Sequence, residues 1–430
     1  MEKTTEKTTT EKTTTEKTSK KTTEKKKTKK KTTFWGLFSC CRRKHRVCPV
    51  SDDSTQELFT SSNESEDETQ QPASSIQAEK EALKDKMVLG DKKANDTKES
   101  PTTHRDVAQV SYPQSVRVQQ DSWFGFPNPG QICYMNSSLQ SLLTLREFIM
   151  DVSSQEEVWS LSPGTEIISC LKNIVRCHGS KNAGYKLWAL AMFKRVLSVQ
   201  APEFGDCHQK DAHEFLTAVV DQIRSLASSL QEFAAFTERS YTCPVKRNLV
   251  FTMQNTRKCK SCGAQSIREE DFTNLSLDLV PGSSVQQMLQ EYQMETLLEY
   301  RCECGGNTSG QRSTFLTLPK FLMLHLKRFT FTQDLLMRKL HYPVDLCRGL
   351  LVTSTQAEGW YSLVSAISHL GSGGNAGHYI SDGLHPDHTL EDHSDRWLLY
   401  NDAQVLETTG AFVCETRQKT AYVLFYQKRM

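Results

Sequence analysis

The amino-acid sequence predicts an α+β domain behind a polar, disordered N-terminal tail. Three observations predict it. From about Cys133 to Ile223 the apolar residues recur at helical spacing. From Tyr241 onward they alternate in short runs, and before Asp121 neither pattern is sustained. Helices first and strands after are the mark of an α+β arrangement.

The 430 residues suffice for a core of some size or for two or three ordinary domains. Lys and Arg number 53 against 51 Asp and Glu, yet the balance is not local: bases dominate up to about Cys48 and acids from Asp52 to Glu68. The start, MEKTTEKTTT, has no apolar signal region, and no run approaches the roughly 20 apolar residues of a membrane-spanning helix. With 14 cysteines and no secretory signal, a reducing location in the cytoplasm or nucleus is expected. There the cysteines serve as thiols, ligands or nucleophiles rather than disulfides.

Residues 1–33 are an imperfect E-K-T-T-T repeat ending in KKKTKKK, too polar to offset chain entropy by burial. Lys25 to Lys31 reads as a nuclear-import signal, a polyanion-binding arm or simply a solvated tail. Phe34, Trp35, Leu37 and Phe38 precede Cys40, Cys41, Arg42, Arg43 and Lys44. That cluster, Phe34–Lys44, suits a palmitoylated membrane contact or a short partner-docking motif. Ser51 to Val118 reads as linker, with one transient helix near Glu79 to Met87. The predicted division is a tail and linker over 1–120 and a folded domain over 121–430.

The folded part opens with WFGFPNPGQICYMNSSLQSLLTL, Trp123 to Leu145. Gly, Pro and Asn turn the chain; then Met135, Leu139, Leu142, Leu143 and Phe148 recur at helical spacing. Cys133 therefore sits where a loop feeds the first turn of a buried helix. Unpaired N–H groups and the positive end of the helix dipole favour a thiolate at such a place. The plain alternative is a buried structural cysteine. Further amphipathic helices are expected over Gly164 to His178 and Lys186 to Val199, and another within Cys207 to Ile223. Asp211 and Glu214, three apart, share a face near the start of the last one, where N-capping carboxylates are favoured in any case.

Alternation begins at Leu249, Phe251 and Met253 and returns at Leu275, Leu277 and Leu279. Cys259 and Cys262 form a C-x-x-C, and Cys302 and Cys304 a C-x-C, about 40 residues on. Two such pairs, each near Gly, read as a zinc-ribbon tip joining two β-arms over about 241–310; a ribbon held by packing alone is the alternative. Strands are expected over Phe315 to Leu318, Phe321 to Phe331, Trp360 to Leu370, Trp397 to Asp402 and Ala421 to Gln427. His325 reads as a strand histidine. His378 follows a glycine-rich loop, Gly371 to Gly377, and should begin a strand.

These motifs resemble the ubiquitin-specific proteases, papain-like cysteine peptidases that cut ubiquitin from its conjugates. The family's Cys box, G-x-x-N-L-G-N-T-C-Y-M-N-x-x-L-Q-x-L, is matched by Gly125, Asn128, Gly130, Cys133, Tyr134, Met135, Asn136, Leu139, Gln140 and Leu142. Pro129, Gln131 and Ile132 depart from it. Gln209, Asp211, Ala212, Glu214 and Phe215 match Q-x-D-A-x-E-F, and G-H-Y followed by W-x-x-Y-N-D matches the His box. SYTCPVKRNLVF, TNLSLDL, LLEYRCECGG and SHLGSGGNAGHYISD resemble the subgroup typified by ubiquitin-specific protease 37. The resemblance covers roughly residues 121–428.

It implies a helical thumb, a mainly antiparallel palm, and β fingers with a zinc-ribbon tip. It implies Cys133 as nucleophile, His378 as general base and later acid, and Asn401 as the group orienting His378, with Asp402 able to supplement or replace it. Asn128 is implied as an oxyanion donor beside the backbone N–H of Cys133. Gln209, Asp211, Glu214 and Tyr379 are implied to contact the extended, arginine-bearing tail of ubiquitin. The expected partners are ubiquitin and ubiquitinated proteins, the expected state a monomer, and the expected cofactor none beyond a structural zinc on Cys259, Cys262, Cys302 and Cys304. A ubiquitin-binding scaffold with weak catalysis is the runner-up, motivated by Pro129, Gln131 and the short second knuckle. A zinc-ribbon nucleic-acid binder leaves the Cys and His boxes unexplained.

Overall fold

The computed structural model describes residues 124–373, 376–388 and 394–429. The chain divides into two units, Met1–Pro101 and Thr102–Met430, and every described residue belongs to the second. The expectations for the tail repeat, Phe34–Lys44 and the Glu79–Met87 helix lie outside the described residues.

Helices come first: α1 Cys133–Leu143, α2 Arg146–Ser154, α3 Glu156–Trp159, α4 Glu166–His178, α5 Ala183–Gln200, α6 Ala212–Ser225, α7 Ala227–Phe236 and α8 Pro244–Asn248. The helical spacing from Met135 to Phe148 is thus divided between two helices, α1 and α2. Thr144 helps to end α1, its hydroxyl bonding back to Ser141 O at 2.6 Å. Asp211 caps α6, accepting the backbone N–H groups of His213 and Glu214. The apolar face of α6, with Phe215, Leu216, Val219, Val220 and Ile223, is fully buried.

Strands follow: β1 Phe251–Cys259, β2 Gln265–Phe272, β3 Leu275–Asp278, then α9 Val285–Tyr292, β4 Thr296–Glu299, β5 Thr308–Phe315, β6 Phe321–Lys327, β7 Phe329–Phe331 and β8 Met337–Lys339. The chain ends with β9 Gly349–Thr353, β10 Glu358–Leu370, β11 His378–Leu384, β12 Trp397–Asn401, β13 Gln404–Thr408, α10 Gly410–Thr416 and β14 Ala421–Lys428. The strand expected over Phe315 to Leu318 instead stops at Phe315, where Leu316 and Thr317 both turn their N–H groups to Thr252 O. The strand expected over Phe321 to Phe331 breaks at Arg328. That buried guanidinium serves the carbonyls of Ala421, Leu340, Tyr342 and Gln418.

An eight-stranded palm runs β13-β12-β11-β10-β14-β6-β3, with β9 also paired to β10. It is antiparallel except for β3 against β6. Its central strands are buried on both faces, as the continuous apolar run FLMLHL requires. Phe321 and Met323 of β6, with Val423 and Phe425 of β14, face a core shared with the helices. Leu322, Leu324 and Leu326, with Leu424 and Tyr426, face a second core with Val285, Leu350 and Trp397. Apart from the palm, β2-β1-β5-β4 form a four-stranded sheet, the fingers. Among the described residues no helix is long and apolar enough to cross a membrane.

Candidate active site

Cys133 is the first residue of α1 and only 2% exposed. The loop before it turns at Gln131, whose φ of 52° lies in the left-handed region. Asn128 closes that loop: its Oδ1 accepts from Gly130 N at 3.2 Å and Ile132 N at 3.1 Å. Helical spacing brings Cys133, Asn136 and Gln140 to one face of α1. There the amides catch the carbonyls of the incoming chain. Asn136 Nδ2 reaches Phe126 O and Pro127 O, and Gln140 Nε2 donates to Phe124 O at 2.7 Å. Buried Lys186 donates to Gly125 O at 2.8 Å. A Cβ on Gly125 would meet Ala403 O at 2.4 Å, so this close approach needs glycine.

His378 begins β11, half-buried. Its Nε2 donates to Asn401 Oδ1 at 2.7 Å, which leaves the other ring nitrogen free to act as a base. Interaction with the neighbouring Cys133 thiol pushes the imidazole up to about 9, against burial; the Asn401 bond and the charges of Cys133 and Asp402 add to it. Asp402 Oδ2 is 3.9 Å from Nε2, beyond a hydrogen bond. Its carboxylate is instead occupied by two asparagines: Oδ1 accepts from Asn136 Nδ2 at 2.8 Å and Oδ2 from Asn128 Nδ2 at 2.9 Å. Asp402 (φ 51°) sits in the two-residue turn between β12 and β13, and its carbonyl accepts Phe126 N at 2.9 Å. Thus Asn401 touches His378, while Asp402 ties its turn to the cysteine loop. The amide of Asn128 keeps one N–H free for a ligand.

A thiol and an amide oxygen that both act on one imidazole can move a proton from sulfur to nitrogen and hold the resulting cation. Gln209 lies alongside. Its Nε2 donates to Gly377 O at 2.7 Å and its Oε1 accepts Gly377 N at 3.2 Å, one residue before His378. Asp211 uses Oδ1 for the α6 cap and Oδ2 to accept the Tyr422 hydroxyl. Tyr379 is buried beside it. Burial, then the charges of Asp211 and Glu203, pushes the Glu214 carboxyl up. His325 is a strand histidine: Nδ1 meets Ser276 Oγ at 2.9 Å, and its ring stacks on His213 at 3.9 Å.

At the far end of the fingers the four predicted ligands converge. Cys259 Sγ lies 3.7 Å from Cys304 Sγ, Cys262 Sγ 3.7 Å from Cys302 Sγ, and all four within 4.8 Å of one another. A zinc tetrahedron with Zn–S near 2.3 Å needs sulfurs about 3.8 Å apart, so the cluster could hold a metal. A Cβ on Gly306 would meet Ser261 Oγ at 2.4 Å and Cys259 Sγ at 3.3 Å, so the short knuckle closes only on glycine.

Against known proteins, a family model described as ubiquitin carboxyl-terminal hydrolase matches residues 124–426. The chain belongs to that family. Human ubiquitin carboxyl-terminal hydrolase 37 is 34% identical over 257 residues, 55% of this chain and 26% of that protein. Mouse ubiquitin carboxyl-terminal hydrolase 29 is 30% identical over 269 residues, 59% of this chain and 30% of that protein. The chain thus spans about a quarter of the length of the curated relatives it matches. The SAGA DUB module of Ubp8, Sgf11, Sus1 and Sgf73 bound to monoubiquitin superposes with a TM-score of 0.60 at 24% identity, covering 72% of this chain and 70% of that one. A yeast SAGA module with an Sgf73 mutant gives 0.59 at 24% identity, covering 76% and 72%. These likenesses show the fold. The family's thumb, palm and fingers are the helices, the eight-stranded sheet and the four-stranded sheet described above.

Sequence reasoning passed over three contributors. Asn136 was matched by motif but given no task, although its spacing from Cys133 and Gln140 was readable. Tyr422 and Lys186 carry no local signal, since each meets its partner only in the folded chain.

Proposed function

We propose that the chain is a cysteine-type deubiquitinase that hydrolyses the isopeptide bond after the C-terminal glycine of ubiquitin in protein conjugates. The observation that carries this reading is His378 Nε2 held on Asn401 Oδ1 at 2.7 Å, with the Cys133 thiol the largest influence on the imidazole. Cys133 attacks the glycine carbonyl as thiolate. The oxyanion is met by the remaining Asn128 N–H and the backbone N–H of Cys133. Imidazolium His378 gives its proton to the departing lysine amine, leaving a thioester. Water then attacks the thioester, giving a proton to His378; the collapse releases the ubiquitin carboxylate and returns Cys133. Gln209, Asp211, Glu214 and Tyr379 line the approach of the ubiquitin tail, Asp211 and Gln209 mainly by shaping it. One zinc sits on Cys259, Cys262, Cys302 and Cys304 as structural metal, and the protein acts as a monomer in the cytoplasm or nucleus.

The test is cleavage of a ubiquitin–lysine-peptide isopeptide by the full chain. Wild type is expected to cleave, and Cys133→Ala to lose cleavage while binding ubiquitin within a few-fold. Cleavage by Cys133→Ala would overturn the nucleophile. Tight binding by wild type without turnover would favour the scaffold reading.

A further inference from the structure

Lys339, in β8, is a buried lysine whose ammonium is paired with no carboxylate among the described residues. Its Nζ donates to His369 O at 2.6 Å and to Gly371 O at 2.9 Å. Burial, then the charge of Arg328, lowers the ammonium to about 8. A cation placed in the interior costs free energy that an apolar side chain of similar length would not, so packing alone gives no reason for it.

The two carbonyls have a particular place. They stand on either side of Leu370, and Leu370 is the residue of β10 opposite His378 in the ladder with β11. Beyond Gly371, whose φ is 106°, the chain enters the glycine-rich loop that returns at Gly377. The end of β10 is therefore the last regular backbone before the loop, and it is the backbone against which His378 is set. The same segment forms the wall beside His378. A Cβ on Gly377 would meet His369 Nε2 at 2.1 Å and Leu370 O at 2.5 Å. His341 adds a weaker hold on the loop, Nε2 to Ser372 O at 3.3 Å.

We propose that Lys339 is a positioning residue for His378: through the carbonyls of His369 and Gly371 it holds the end of β10, and with it the imidazole between Cys133 and Asn401. The proposal rests on the deubiquitinase reading of that imidazole. Displacement of a catalytic group by about 1 Å can cost on the order of a hundredfold in rate, so the loss should fall on turnover rather than on ubiquitin binding.

The experiment uses the full chain and two readouts: kcat and KM on a ubiquitin isopeptide substrate, and the NMR titration of the His378 imidazole. Lys339→Met is expected to lower kcat about tenfold or more, with KM nearly unchanged. The His378 titration should fall from about 9 towards the ordinary histidine value. Lys339→Arg, which can still donate to both carbonyls, is expected to recover both. Val352→Ala, buried in β9 at the other end of β10, serves as a packing control and should leave the titration in place. If Lys339→Met does not fold, Lys339→Gln, whose amide is too short to span both carbonyls, is read in the same way. Wild-type kcat and titration in the Met or Gln variant would overturn the proposal, as would an equal titration shift in Val352→Ala at equal loss of Tm. A wild-type protein with neither cleavage nor a raised His378 would overturn the deubiquitinase reading itself, and is recognised before any variant is compared.

Discussion

The cleft and the finger tip are both places where loops meet, and they are held by different means. At the cleft, side-chain amides do the joining. Asn136, Gln140 and Asn128 bind the chain entering α1, Asn401 binds His378, and Gln209 binds the residue before it. All rest on a core in which Tyr134, Phe204 and Phe215 are fully buried. At the finger tip there is little such core. Most of β2 is exposed, and Ile267 and Leu297 face outward. The Lys260–Glu295 pair is exposed and, as a surface ion pair, contributes only about 0–1 kcal/mol. Backbone pairing of β1 with β5 runs up to Cys259 and Ser309, and beyond it the four sulfurs come together. The lesson is that cleft geometry should answer to hydrogen-bonding substitutions, and finger-tip geometry to whether the four cysteines hold a metal.

The sharpest way to break that division is the pair Asn401→Ala and Asp402→Ala. Asn401→Ala should cost about 10²-fold in kcat, the lower range for general acid–base assistance, with little loss of Tm. It removes a bond that helps to hold His378 near 9. The imidazolium is the form present below that value, so a lowered His378 narrows the pH range in which it persists, and the alkaline limb of the profile moves to lower pH. Asp402→Ala should do the reverse: a smaller loss of kcat, but about 1–3 kcal/mol of stability as Asn136 and Asn128 lose their acceptor. Equal effects of the two on kcat and on Tm would erase the distinction between touching His378 and bracing its turn.

Metal removal comes next in size. Protein purified without chelator should carry about one zinc per chain. Stripping it should lower the thermal stability of the fingers and raise KM for a ubiquitin substrate more than it lowers kcat. Elemental analysis beside steady-state kinetics decides. Negligible zinc with cleavage intact would make the ribbon a packed relic, and a loss confined to kcat would tie it to the cleft.

The smallest effect is expected at Gln131, where a left-handed backbone carries a side chain that does not favour it. Gln131→Asn should raise stability by up to about 1 kcal/mol, because asparagine tolerates that region. Thermal unfolding reads it directly, and a lower Tm would show that Gln131 makes a contact worth more than the strain.

Much of this was readable in the chain. The period change near Tyr241, the Cys and His boxes and the paired cysteines placed the helices, most strands, the cleft pair Cys133 and His378, and the four-cysteine cluster at the finger tip. What stayed hidden has one physical character. Asp402 and Asn136 are 266 residues apart and meet only across the thumb–palm contact. Tyr422 reaches back 211 residues to Asp211, which a motif assigned to substrate and the fold also uses as a helix cap. Lys339 sat unremarked in the segment between Phe331 and Trp360. The end of β5 and the break at Arg328 were likewise missed, because backbone and guanidinium partners elsewhere override an apolar run. Local pattern shows which groups are present. Their pairing is a property of the packed chain.

The central claim is that recognition and the Cys133–His378–Asn401 line together, not thiol accessibility, make this cysteine react. Cys133 is nearly covered, whereas Cys207 is exposed and free. The direct measurement is to treat the full chain with ubiquitin bearing a C-terminal electrophile and to map the adduct by mass spectrometry. A single ubiquitin adduct on Cys133, lost in Cys133→Ala, is the predicted result. Label on Cys207 or another exposed thiol with Cys133 unmodified would contradict it.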